Sequence, residues 1–165
     1  MLTPSSGGIY FDGEPVSNRS DRERSWLRAH EYGFVFQDAA LDNRRTVIDN
    51  VLLPLSFRNE KRSDWFEPAT QLLSRVGVTV PLNRRPGEVS GGQAQRIALC
   101  RALLASPRII LADEPTGNLD AESAEVVMRE LEYHANKGAI VVVVTHSTEV
   151  ETRCDQTVRL VPVSS

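Results

Sequence analysis

Lysine is almost missing from this chain. Lys61 and Lys137 are the only two lysines among its 165 residues, and neither follows a glycine. A loop that cradles phosphates with its backbone amides closes on Gly-Lys-Ser or Gly-Lys-Thr, because the lysine must reach the outer phosphate oxygens. No complete loop of that kind lies within these residues. Cysteine is scarce as well. Cys100 falls in an apolar helical stretch and Cys154 near the end, a spacing that fits no metal site and leaves both as reduced, structural residues. The longest apolar run, Ala139 to Val144, is far short of the roughly 20 residues that cross a bilayer. The polar start Met1-Leu2-Thr3-Pro4-Ser5-Ser6 is no secretory leader. A formal charge of −3 with both signs interspersed provides no basic field, which excludes sequence-independent DNA binding. The expectation is a cytosolic protein with no nucleic-acid partner.

What is present suits one compact domain. With 41% hydrophobic residues, a chain of this size hides roughly 70% of its unfolded surface. Ile9-Tyr10-Phe11 before Asp12-Gly13 reads as a strand and turn, Asp21 to His30 as a short charged helix, and Tyr32 to Phe36 as a strand ending on Gln37-Asp38. Apolar residues recur at helical spacing over Thr46–Phe57 and Asp64–Val76, the latter opening on Asp64 and Glu67 in a capping-box arrangement. Pro81, Pro86 and Gly87 interrupt this helical middle portion, and a further helix runs from Ser90 through Ala105 to a stop before Pro107. It is apolar almost all round after Ile97, which predicts burial.

Ile109 to Ala112 and Ala139 to Thr145 are short apolar runs of the kind that form buried parallel strands. Between them Asp120 can cap a helix whose Ala124, Val127, Met128, Leu131 and Ala135 share one face, with Gly138 ending it. Strand, helix and strand in that order predict a parallel crossover. His30 and His134 have no Cys, His or carboxylate at ligand spacing and receive no role.

Ligands of open parallel sheets bind outside the carboxyl ends of the strands. Gln37, Asp113-Glu114 and His146 stand at three such ends. Singly, each has a commonplace explanation: a solvated loop glutamine, a helix-capping carboxylate, a structural histidine. Val89-Ser90-Gly91-Gly92-Gln93 changes the balance, because a serine and two glycines at a helix start leave backbone amides open to an anion at the positive end of the helix dipole.

This set resembles the ABC ATPases. Val89 to Gln93 is similar to their LSGGQ signature, and Ile109 to Pro115 to the Walker B strand followed by the catalytic glutamate. Gly117-Asn118-Leu119-Asp120 resembles the D-loop, Phe36-Gln37 the Q-loop, and Thr145-His146 the switch histidine, all in family order. The resemblance implies an α/β, P-loop NTPase-like parallel sheet with a helical signature subdomain at roughly residues 40–95, and ATP and Mg²⁺ as cofactors. It implies that Asp113 holds Mg²⁺, that Glu114 is the general base or orients the attacking water, and that Gln37 contacts metal and water and senses a membrane partner. His146 would bond the γ-phosphate. Ser90, Gly91, Gly92 and Gln93 would meet the ATP of a second ATP-binding subunit packed head to tail, with Asp120 at the same seam. A transmembrane permease subunit is the other implied partner, holding the protein at the inner face of the membrane.

Leu2 to Gly13 resembles the segment that comes after the P-loop helix in this family. Met1 is therefore expected to be an internal methionine, with in-frame upstream DNA encoding a strand and a loop ending in Gly-Lys-Ser or Gly-Lys-Thr; an in-frame stop would favour a degenerate, non-hydrolytic subunit that lends its signature to an intact partner. Too few residues separate Gln37 from Ser90 for the coiled coil of a DNA-repair ATPase. The segments Gly33 to Gln37 and Pro115 to Asp120 look most like the lipoprotein-release, macrolide-export and antimicrobial-peptide-export subfamily.

Overall fold

A computed structural model describes residues 6–160. Near its start, Asp12-Gly13 closes a hairpin of two short antiparallel strands, β1 (Tyr10–Phe11) and β2 (Glu14–Pro15). Both turn residues take positive φ, 51° and 81°, the conformation whose twist matches a two-residue hairpin. Arg108 grips Asp12 through two 2.9 Å bonds and lies over the Phe11 ring. Its guanidinium holds the Asp12 carboxyl below the usual carboxylate range. Helix α1 (Asp21–His30) comes next, as the sequence predicts, behind a Ser20–Glu23 capping box.

The sheet that matters for function has three parallel strands, β3 (Tyr32–Val35), β4 (Ile109–Asp113) and β5 (Ile140–Val144), with β4 in the middle. Its register sets Tyr32, Ile109 and Ile140 in one row and Phe34, Leu111 and Val142 in another, on one face. The alternate residues Val35, Ile110 and Ala112 are buried on the other face. That inner face rests on α4 (Gly91–Leu103) and α5 (Ala121–Asn136). Ile97, Ala98, Leu99 and Cys100 of α4 have no exposed surface at all, which is the all-round burial its composition predicts. Burial pushes the Cys100 thiol pKa well up and leaves it inert. A Cβ on Gly33 would lie 2.5 Å from the Ala102 carbonyl oxygen, so glycine lets β3 approach α4 this closely.

The middle portion is helical as expected: α2 (Val47–Val51), a 3₁₀ segment at Leu53–Phe57, and α3 (Arg62–Arg75). One detail differs. The N-cap of α3 is Lys61, with no side-chain cap, so Asp64 and Glu67 form no capping box. The helix begins earlier than its apolar periodicity and carries Pro68 inside it, which deprives the Asp64 carbonyl of its helical donor. Burial of Ala69, Leu72 and Leu73 offsets that loss.

The expectation of a buried strand at Ala139–Thr145 is also corrected. Ile140 is 62% exposed, Val142 45% and Val144 61%. Val141 and Val143 pack against the core, whereas β5 is an edge strand with one uncovered face among the described residues. A run of five apolar residues cannot by itself distinguish a strand covered on both faces from one covered on one. After β5 comes α6 (Thr148–Thr152), anchored by buried Val150. Among the described residues no helix is long and apolar enough to cross a membrane.

Candidate functional site

The carboxyl ends of β3, β4 and β5 lie side by side, and the chain leaves each on a polar residue. Val35 pairs with Ala112, and Asp113 with Val144, which places Phe36-Gln37, Asp113-Glu114 and Thr145-His146 along one rim. Glu114 adopts φ +41°, uncommon for a residue with a Cβ. Its backbone N–H donates to the Val144 carbonyl at 2.8 Å, and its carbonyl accepts from Gly117 at 3.1 Å. This turn swings the carboxylate across the end of β5. There it accepts from the Thr145 hydroxyl at 2.9 Å and from the His146 backbone N–H at 2.8 Å. The His146 ring stands in solvent with Nε2 3.9 Å from the same carboxylate. Glu114 and His146, predicted as partners in one site, are thus brought together.

The segment after His146 is held from behind. Ser147 caps α6, and its N–H also donates to the Thr145 hydroxyl at 3.0 Å. Arg153, just past α6, bonds both Glu132 and Glu125 of α5 at 2.6 Å. Its own pKa rises and the Glu132 carboxyl is lowered by that contact.

Gln37 and Glu114 line a cavity of about 170 Å³ that also includes Gly91, Gln95, Asn118 and Leu119. The start of the signature helix and the candidate base therefore share one cavity. Gln95 is buried, and its amide donates to the Phe36 carbonyl at 2.9 Å, tying α4 to the residue before Gln37. Ser90 caps α4 by accepting the Gln93 N–H at 3.3 Å, which leaves its hydroxyl hydrogen free to donate outward. A Cβ on Gly92 would lie 2.9 Å from the Ser123 hydroxyl, so glycine here brings the amino ends of α4 and α5 together. Asp120 accepts from the Ser123 N–H and hydroxyl, both at 2.9 Å, and these bonds lower its pKa. Asp120 and Gly92 are neighbours; neither Asp120 nor Asp113 lines the cavity.

Asp113 is exposed at the end of β4. No cluster of three or more His, Cys, Asp or Glu that could hold a metal occurs among the described residues. One carboxylate with a glutamine oxygen on the adjacent strand end still suits Mg²⁺, a hard cation that binds through one or two carboxylates, keeps several waters and takes its other ligands from phosphates.

A larger groove of about 680 Å³ lies on the other side of β3, between α1, the Leu53–Phe57 turn and the end of α4. Trp26, Phe34, Phe36 and Phe57 line it together with Arg22, Arg28, Arg58 and Arg101, but none of the predicted site residues is there. Between the two hollows runs the 36–40 loop. Downstream of it, fully buried Asn50 accepts the Asp42 N–H at 2.8 Å and donates to the carbonyls of Asp42 and Thr46, which orders the polar stretch 42–45. The sequence signals no role for Thr145 beyond its place before His146, nor any for Gln95, because both act on partners distant in the chain.

A family model described as ABC transporter matches residues 1–117. The chain is 44% identical over 159 residues to the lipoprotein-releasing system ATP-binding protein LolD of Geobacter metallireducens, a match that covers 96% of this chain and 71% of that protein. It is 40% identical over 157 residues to the macrolide export ATP-binding/permease protein MacB of Nitrosomonas europaea, covering 95% of this chain and 24% of that longer one. Among solved structures it is similar to the dimeric, post-hydrolysis ATP-binding cassette MJ0796 bound to ADP and Pi. The TM-score is 0.81 at 35% identity, over 90% of this chain and 66% of that one. The chain thus spans about two thirds of that cassette's length. Similarity that runs through sequence and three-dimensional fold alike shows that this chain belongs to the ABC transporter family, in its ATP-binding domain.

Proposed function

We propose that this chain carries the signature, Walker B and switch portions of an ATP-hydrolysing subunit that powers an ABC transporter, of the lipoprotein-release or macrolide-export kind. The observation that supports it most is the Glu114 carboxylate, held by Thr145 and the His146 N–H beside a cavity it shares with Gln37 and Gly91. Glu114 would take the proton of the attacking water or orient it, His146 would bond the γ-phosphate, and Asp113 with Gln37 would hold Mg²⁺. Bound Mg²⁺ supplies charge neutralisation at the phosphates. Ser90, Gly91, Gly92 and Gln93 present a hydroxyl and helix-end amides to the γ-phosphate of ATP on a second subunit, and Asp120 sits at that seam. The helices of residues 40–95 act as a subdomain carrying the signature. The apolar, arginine-edged groove beside the 36–40 loop is the face offered to a transmembrane permease subunit, which keeps the protein at the cytoplasmic face of the membrane.

The 165 residues by themselves hold ATP weakly and hydrolyse little of it. Loss of three or so charge-assisted bonds from a phosphate-binding loop lowers affinity on the order of a thousandfold or more. Equilibrium binding of a fluorescent ATP analogue, compared between these residues and the same residues fused behind a phosphate-binding segment of the family, measures the difference. Equal micromolar affinity for both would refute this account of the nucleotide site.

Ser90→Arg, in the fused protein, is expected to lower hydrolysis on the order of a hundredfold or more, the range seen when one anion-stabilising donor is lost. The bulky side chain fills the approach to the helix end, and losing the cap costs about 1 kcal/mol of stability. Steady-state phosphate release together with a melting curve separates the two effects. Undiminished hydrolysis would argue against the head-to-tail arrangement.

A further inference from the structure

The loop that carries Gln37 is strained. Ala39 and Ala40 have φ of +58° and +47°, in the left-handed region that a side chain bearing a Cβ disfavours. Two consecutive alanines there persist only if something outside the loop fixes them. Local bonds from the Ala39 N–H to the Phe36 carbonyl and from the Ala40 N–H to the Asp38 carbonyl close the turn, yet such bonds occur equally in turns built on glycine or asparagine. The external support is Arg101, whose guanidinium bonds the Ala40 carbonyl at 2.6 Å and the Ala39 carbonyl at 2.8 Å. Arg101 makes no salt bridge among the described residues, so the two carbonyls are what its charge is turned toward. Such bonds, with an ionised donor, are about twice as strong as neutral ones.

We propose that Arg101 is a positioning residue for Gln37: through the carbonyls of Ala39 and Ala40 it holds the strained 38–40 turn that sets Gln37 at the cavity shared with Glu114. Gln95 pins the other side of the same loop at Phe36, so α4 grips it at two points, one before Gln37 and one after. The inference rests on the role proposed above for Gln37.

The test uses the chain fused behind a phosphate-binding segment, as above, with Arg101→Met alone, the same change with Ala39→Gly and Ala40→Gly, and Gln37→Ala as reference. Loss of the guanidinium should let the turn leave the left-handed region. Hydrogen exchange at the Ala39 and Ala40 amides should rise roughly tenfold or more while exchange at Ile97 and Leu99 in α4 stays put. Turnover should fall in kcat with little change in the KM for ATP, in the manner of Gln37→Ala. Glycine accepts positive φ without the Cβ penalty, so the triple variant should recover part of both losses. A merely structural arginine would give no such recovery. If Gln37→Ala leaves turnover unchanged, the role of Gln37 fails and the positioning role with it. If Gln37→Ala is impaired while Arg101→Met neither loosens the two amides nor lowers kcat, or if the glycines recover nothing, the positioning role alone is overturned.

Discussion

Glu114→Gln, in the chain fused behind a phosphate-binding segment, is expected to lower ATP turnover on the order of a thousandfold while ATP affinity changes by no more than a few-fold, the span expected when general-base assistance is lost and ground-state binding kept. The local geometry makes this a clean substitution. The carboxylate accepts from two donors, the Thr145 hydroxyl and the His146 N–H. A glutamine can keep its oxygen on the His146 N–H and turn its NH₂ toward the Thr145 oxygen, a hydroxyl that also accepts. Fold and melting temperature should therefore change little, and a loss of turnover reports chemistry alone. Phosphate release over time and equilibrium ATP binding are the two measurements. A variant turning over within tenfold of the parent protein would remove Glu114 from the proton transfer.

Most of the rim is legible in the sequence because strand ends announce themselves: apolar runs stop abruptly on Gln37, Asp113-Glu114 and Thr145-His146, and the three strands pair in parallel as their order requires. Ser90 and Asp120 do cap α4 and α5, since capping is a local property and the residue type carries it. The illegible part depends on contacts across the chain. The bond from Thr145 to Glu114 spans 31 positions, that from Gln95 to Phe36 59, and that from Arg101 to Ala39 62. None leaves a periodicity or a spacing to read. The left-handed Ala39-Ala40 pair is hidden for the opposite reason, because alanine is a poor sign of positive φ. Its conformation is imposed from α4 rather than chosen by the loop. At α3 the apolar period is visible in the sequence but the start is not, since the first turn from Arg62 is exposed and polar.

The uncovered face of the sheet leads to the second large effect. Ile140, Val142 and Val144 project from β5 into solvent, beside the half-buried Leu111 and Phe34 in the neighbouring strands. The stacked ladder of Tyr32, Phe34 and Phe36 continues the same apolar surface along β3. Covering a Val or Ile contributes about 1.5–3 kcal/mol, so three such side chains forgo several kcal/mol while they face water. The outer edge of β5 has in addition no strand partner among the described residues, and Ile140 to Val144 contains neither charge nor proline. An uncharged, β-branched edge is a template for pairing with another chain. The 165-residue chain purified alone is accordingly expected to self-associate at micromolar concentration or to melt without a sharp transition. Val142→Lys should raise the soluble, monomeric fraction several-fold, because the side chain already faces water and a charge there opposes edge pairing. Val141→Lys, one residue away but packed against the core, should unfold the chain instead, since a lysine there buries an unpaired charge. Size-exclusion chromatography with light scattering and a thermal melt of the three proteins checks all of this. A parent chain that elutes as a monomer and melts cooperatively, with Val142→Lys no better behaved, would mean that something covers this face and edge.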